Sequence, residues 1–256
     1  MKIPKKVTER LTKEIRKFQK VLKKARDRDV NESDTVTIVT DMLASVFGFD
    51  KYAEITSEQA IRGTYCDLAI KLDGKIEYLI EVKAIGLNLR ESHLRQAINY
   101  GSNQGIPWVV LTNGIIWNIY KIKFERPVSY ELVCTIDFML LNPRKKEDQE
   151  RVFLLCKKGI TTDAIEEFHN HVRVVNRFMI GAVVLTEPIL NVIRKELRRI
   201  TPGLKVTNEE IESIIATELL KRDVVDGKSF ENARKRVKKA AKKEAKKAKP
   251  KSTQSA

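Results

Sequence analysis

The sequence predicts an α/β domain built on a mixed central sheet flanked by helices, followed by a smaller all-helical domain and a basic tail. Three observations predict it. Apolar residues recur every three or four positions near the N-terminus, alternate in short runs bounded by turn residues between about 52 and 135, and return to the helical period from about 144. With 42% hydrophobic and 32% charged positions in 256 residues, the chain has material for a buried core and is not a disordered protein.

Residues 5 to 26 read as a helix through Val7, Leu11, Ile15, Phe18 and Leu22, with basic residues elsewhere. Asn31 or Ser33 caps a second helix, whose apolar face is Val36, Val39, Leu43, Val46 and Phe47 before Gly48 ends it. Residues 52 to 58, 65 to 72 and 76 to 84 then read as strands, the last two joined by the hairpin signal Asp73-Gly74. A helix follows Gly86, from about 90 to 102. An apolar run at 108 to 111, a turn at Asn113-Gly114, and strands at 115 to 121 and 129 to 135 complete the sheet. Trp108 and Trp117 fall on these strands and are expected in the core.

Beyond 144 the segments 146 to 157, 162 to 180, 187 to 200 and 207 to 222 are helical in period; Thr186 before Pro188 and the box Thr207-x-x-Glu210 mark two starts. The expected organisation is a basic amphipathic helix (1–30), the sheet domain (31–143), a helical domain (144–226) and a Lys-rich disordered tail (227–256), disordered for want of apolar surface. In the helical domain Ile165, Phe168, Val172, Val175 and Met179 form one apolar seam, and Leu190, Ile193, Leu197 and Ile200 another. These seams close either an intramolecular bundle against 146 to 157 and 207 to 222, or a twofold homodimer.

The charge, +15 in total, sits at the ends: residues 1 to 28 hold twelve Lys/Arg against three acids and residues 234 to 251 eleven against one, so the middle is mildly acidic. Basic ends of this kind neutralise phosphates without reading sequence, and nucleic acid is the expected partner. A membrane surface fits less well, because the tail has no large apolar face to insert. No run approaches the roughly 20 apolar residues of a membrane span, and Met1-Lys2-Ile3-Pro4-Lys5-Lys6 is unlike a secretory leader, so a cytoplasmic protein is expected. Cys66, Cys134 and Cys156 are too far apart for a zinc or disulfide framework. His169 and His171, two apart on a helix, point different ways. No phosphate-binding G-x-x-x-x-G-K-[ST] loop occurs, which excludes a nucleotide-driven motor in this chain.

The stretch that carries chemistry is Tyr65-Cys66-Asp67-Leu68-Ala69-Ile70, followed by Tyr78-Leu79-Ile80-Glu81-Val82-Lys83-Ala84. Side chains alternate along a strand, so Glu81 and Lys83 share one face, with Ile80, Val82 and Ala84 on the other. Asp67 joins them if it lies opposite across the hairpin. Two carboxylates and an ammonium among apolar residues mark an ion network or a metal site. Phosphodiester hydrolysis uses this set: carboxylates hold Mg²⁺ and a lysine orients or deprotonates the attacking water. The E-x-K pattern alone says little, since Glu244-Ala245-Lys246 repeats it in the tail.

On the following helix Gln96 and Tyr100 share a face. With these residues, and with the run Ile106-Pro107-Trp108-Val109-Val110-Leu111-Thr112-Asn113-Gly114-Ile115-Ile116-Trp117, the segment from about 31 to 122 resembles the N-terminal nuclease domain of type I restriction enzyme R subunits, a branch of the PD-(D/E)XK nuclease superfamily. The resemblance implies a restriction-endonuclease-like fold in which Asp67 and Glu81 bind the metal, with the Val82 carbonyl as a backbone ligand. It further implies that Lys83 handles the attacking water, that Gln96 supports Lys83 or a DNA phosphate, and that Tyr100 braces the helix. An early helix supplies one more acid, Glu32 or, alternatively, Asp34. Cys66 stands where the superfamily name has proline. The implied activity is a stand-alone, Mg²⁺-dependent DNA endonuclease in which Mn²⁺ can substitute. The alternative is a non-catalytic nucleic-acid-binding protein that keeps the fold.

Overall fold

The computed structural model describes residues 1–57 and 66–247. They form two compact units, Met1–Phe168 and the chain from His169 on. In the first unit a six-stranded sheet follows chain order: β1 (Ile55–Ser57), β2 (Leu68–Leu72), β3 (Lys75–Val82), β4 (Trp108–Thr112), β5 (Ile116–Lys123) and β6 (Ser129–Asp137). Neighbours are antiparallel except β3 and β4, which are parallel. A parallel pair needs a crossover, and here it is a 3₁₀ turn, Glu91–Leu94, leading into a helix, Arg95–Gln104. The unit is the mixed-sheet α/β fold that the sequence predicts.

Six helices accompany this sheet: α1 (Lys5–Asp27), α2 (Glu32–Met42, continued by a π turn, Leu43–Phe47), α3 (Arg95–Gln104), α4 (Lys146–Phe153), α5 (Lys157–Ile160) and α6 (Ala164–Val174), the last of which runs past the unit's end at Phe168. The alternation on β3 divides the core. Tyr78, Ile80 and Val82 pack with Leu11, Ile15, Leu22, Val39 and Leu43 of the first two helical segments, whereas Leu79 packs with Ala97, Ile98 and Tyr100 of α3. Leu11, Ile15 and Leu22 are wholly buried, each stabilising by about 1.5–3 kcal/mol. Trp108 and Trp117 are in the core, and the Trp117 Nε1 donates to the Gly114 carbonyl at 2.8 Å.

The domain boundaries need correction. Residues 1–30 are not a separate helix, because the apolar stripe of α1 is one wall of the main core. The stretch from 144 to 168 belongs to the same unit: Val152, Phe153, Leu154 and Ile165 are buried in that core.

The second unit holds α7 (Arg177–Val184), α8 (Glu187–Ile200), α9 (Asn208–Ile214, continued by a π turn, Ile215–Leu219), α10 (Arg222–Val225) and α11 (Lys228–Lys247). The expected helix from 162 to 180 is two helices, because Asn176 starts a new one: its side chain accepts from the Phe178 and Met179 N–H groups at 3.1 and 3.0 Å. The first seam is therefore broken. Ile165 and Phe168 join the first core, Met179 joins the second, and Val172 and Val175 are exposed. In the other seam Leu190, Ile193 and Leu197 pack with Ile211 and Ile215, while Ile200 is exposed. Residues 146–157 take no part in that bundle.

The Lys-rich tail is also corrected: Lys228–Lys247 is helical. Phe230, Ala233 and Val237, three and four apart, supply the apolar stripe that the composition conceals, and they join the second core. Residues 248–256 lie outside the described residues, as do Tyr65 and residue 58 at the edges of two expected strands.

Candidate active site at one end of the sheet

The hairpin between β2 and β3 turns through Asp73 (φ 49°) and Gly74 (φ 84°), both left-handed as a type I′ turn requires. Its register pairs Leu68 with Ile80 and Ala69 with Leu79, so Asp67, just before β2, falls beside Glu81 and Val82. Its Oδ2 accepts the Val82 N–H at 2.7 Å, taking the place of a ladder carbonyl where β2 has not yet begun. Val82, fully buried, is paired with Thr112 of β4, and the Lys83 N–H donates to the Thr112 carbonyl at 2.8 Å.

Glu81 is only 4% exposed. The Lys83 Nζ lies 2.9 Å from its Oε1 and 3.3 Å from Oε1 of Glu32. Glu32 reaches the site because Asn31 starts α2 there, its side chain accepting the Asp34 N–H at 2.9 Å. Of the two early acids, then, Glu32 meets Lys83, while Asp34 stands exposed in the same turn. Burial pushes the Glu81 carboxyl up to about 7; Lys83 opposes the shift, and Asp67 and Glu32 add to it. Burial draws Lys83 down, but Glu81, then Asp67 and Glu32, leave it above the ordinary lysine value. The result is one ammonium between two carboxylates, Glu81 and Glu32, with the Asp67 carboxylate nearby on the Val82 N–H.

Cys66 fills the position before Asp67 as a buried thiol, its Sγ donating to the Ile80 carbonyl at 3.1 Å. Burial, with Glu81 and Asp67 nearby, pushes it up to about 12, which removes it as a nucleophile.

Gln96 and Tyr100 have different fates. Leu94, Ala97, Ile98 and Gly101 occupy the sheet-facing stripe of this segment, which leaves Gln96 on the flank, exposed and without a hydrogen bond among the described residues. The expected contact from Gln96 to Lys83 does not form. Tyr100 reaches inward from the same flank, 1% exposed, and braces the core against Leu79 and Cys66; its hydroxyl has no partner among the described residues.

One residue of the site carries only a turn signal in the sequence. Asn113 is 6% exposed. Its Nδ2 donates to the carbonyls of Ile85 and Leu87 at 3.2 and 3.0 Å, and its Oδ1 accepts from the Ile115 and Ile116 N–H groups at 3.1 and 2.8 Å. It ties the chain leaving Lys83 to the β4–β5 turn. The only signal for it was a polar residue between two apolar strands, placed before a glycine.

Among the described residues no group of three or more His, Cys, Asp or Glu gathers to hold a metal, and no helix is long and apolar enough to cross a membrane. Mg²⁺ needs fewer protein ligands, since it keeps several waters, and the hard oxygens of Asp67, Glu81 and the Val82 carbonyl are the donor type it takes. No curated protein matches the chain, and no solved structure does. A family model does match: over residues 49–137, the stretch that carries Asp67, Glu81, Lys83 and Asn113, the chain is similar to the type I restriction enzyme R protein N terminus.

Proposed function

We propose that the first unit is a metal-dependent nuclease that hydrolyses DNA phosphodiester bonds as an endonuclease, in the cytoplasm, with Mg²⁺ or Mn²⁺ as cofactor. One observation carries the reading: the buried Glu81 and the half-buried Lys83 stand 2.9 Å apart at the sheet end where Asp67 is fixed by the Val82 N–H. Asp67 and Glu81, with the Val82 carbonyl, would hold the cation and Glu32 would line the mouth. When bound, the cation supplies positive charge to a phosphate oxygen and acidifies water. Lys83 donates hydrogen bonds to the attacking water and steadies the negative charge that develops on phosphorus-bound oxygen. Asn113 holds the backbone after Lys83 so that the ammonium keeps its place. Gln96, exposed on the flank of α3, is available to a DNA phosphate rather than to Lys83.

A second reading has its own observation. Lys83, Glu81 and Glu32 already form a closed ion network, which a non-catalytic nucleic-acid-binding protein could keep for shape alone. Incubating supercoiled and linear DNA with the protein in Mg²⁺, Mn²⁺ or EDTA separates the two. Nicking and linearisation that need the metal and vanish in Lys83→Ala are expected. Binding with no cleavage in either metal would leave the second reading in place.

A further inference from the structure

The apolar stripe of α1 is consumed in the core, and what remains outside is a ridge of cations. Lys13, Lys17, Lys20 and Lys24, four, three and four apart, form one exposed row, with Arg16, Lys23, Arg26 and Arg28 beside it. Glu14 lies near Lys13 and Lys17, at 3.8 and 3.6 Å. Toward the C-terminal end the ridge is less compensated: Lys20, Lys23, Lys24, Arg26 and Arg28 have no carboxylate partner among the described residues, although Asp27 and Asp29 share the turn. A helix C-terminus favours cations in its last turn, which accounts for Lys24 and Arg26 but not for Lys13, Lys17, Lys20 or Lys23.

This end of the ridge adjoins the candidate site. Arg28 is four residues before Glu32, whose carboxylate meets Lys83. The Asp29 carboxylate packs so closely on Gly86, three residues after Lys83, that a Cβ there would lie 2.4 Å from its Oδ1. From Lys13 to Lys24 the row covers about 16 Å, the axial length of about five base pairs.

We infer that the ridge of α1 is the docking surface for the sugar–phosphate backbone of a double-stranded nucleic acid. Charge selects a polyanion. The aromatic content selects the duplex: the only aromatic residue of α1, Phe18, is buried, so the ridge has no platform on which unpaired bases could stack. An anionic membrane is a poorer occupant, because the apolar face that would insert is already buried. The inference deepens the nuclease reading by giving its substrate an approach, yet it is tested without cleavage.

The measurement is equilibrium binding of fluorescent duplexes of two unrelated sequences to the full chain in EDTA, over a salt series. The variant carries Lys20→Gln, Lys23→Gln and Lys24→Gln, and glutamine keeps the helix. Both duplexes should bind at least about tenfold more weakly at 0.1 M salt, with a log–log salt slope shallower by about 2 to 3. A second variant, Lys13→Gln with Arg16→Gln, should flatten the slope by about 2. Wild-type slopes in both variants overturn the inference. So does a loss confined to single strands or to phosphatidylserine vesicles. A wild-type chain that binds duplex through the ridge but never cuts removes only the nuclease reading, and a chain that cuts while both variants bind normally removes only this one.

Discussion

Glu81-Val82-Lys83 and Glu244-Ala245-Lys246 spell one pattern in two regions of the molecule. At the end of β3 the acid and the lysine one residue past the strand, two apart, share a face, and the ammonium lies 2.9 Å from the buried carboxylate. On α11 residues two apart lie about 200° apart around the axis, and Glu244 is exposed. The tripeptide carries no chemistry of its own. A strand and a dry environment give it one, since water-screened charges have no reason to hold a geometry.

The largest expected effect tests that difference directly. Glu81→Ala or Lys83→Ala should lower metal-dependent cleavage by about 10²–10⁴-fold, with far-ultraviolet circular dichroism unchanged, whereas Glu244→Ala should stay within about twofold of wild type. Equal losses in both regions would show that charge, and not placement, governs the activity.

Next comes the brace that only the strand copy possesses. Asn113→Ala removes two donated and two accepted hydrogen bonds in a nearly water-free turn, and should cost about 2–4 kcal/mol in urea unfolding. A cost below about 0.5 kcal/mol would mean that the chain after Lys83 is held by something else.

A smaller effect follows from the burial of Glu81. With its folded pKa raised to about 7, the protonated acid favours folding: that contribution is complete below the ordinary glutamate value near 4.5 and is lost as pH climbs to about 7. Glu81→Gln, which is never ionised, should therefore gain stability relative to wild type between pH 5 and pH 8 in EDTA. The gain should be roughly 1–3 kcal/mol, less than the full shift because Lys83 loses an anionic partner. A difference that stays flat with pH would place the raised pKa elsewhere.

The strand copy was legible in sequence because it depends on local rules. Asp73-Gly74 declared the hairpin, and the period of two put Glu81 and Lys83 on one side. What was not legible depended on contacts distant in sequence. Glu32 and Asp34 are equivalent as helix-starting acids, and only the packing of α2 on the sheet turns one of them toward Lys83, 51 residues on. The role of Asn113 lies in the carbonyls it meets, which no spacing encodes. In α11 the lysines dominate the composition and hide Phe230, Ala233 and Val237, and in the first seam a single asparagine at 176 outweighs a continuous apolar period.

The smallest expected effect concerns a pair in which the helical rule holds and yet does not decide the outcome. Gln96 and Tyr100 share a flank of α3, as residues four apart must, but one is exposed and the other buried. The difference lies in reach: the tyrosine ring is long enough to enter the core beside Leu79, and it carries a hydroxyl inside that finds no partner among the described residues. An unsatisfied buried hydroxyl opposes folding, so removing it while keeping the ring should be neutral or favourable. Tyr100→Phe is expected to change the unfolding free energy by between zero and about 1 kcal/mol in the stabilising direction. Thermal and urea unfolding of the full chain check it. A loss of more than about 1 kcal/mol would mean that the hydroxyl has a partner in solution, a bound water or a shifted site residue, and Tyr100 would then belong to the chemistry of the pocket rather than to its frame.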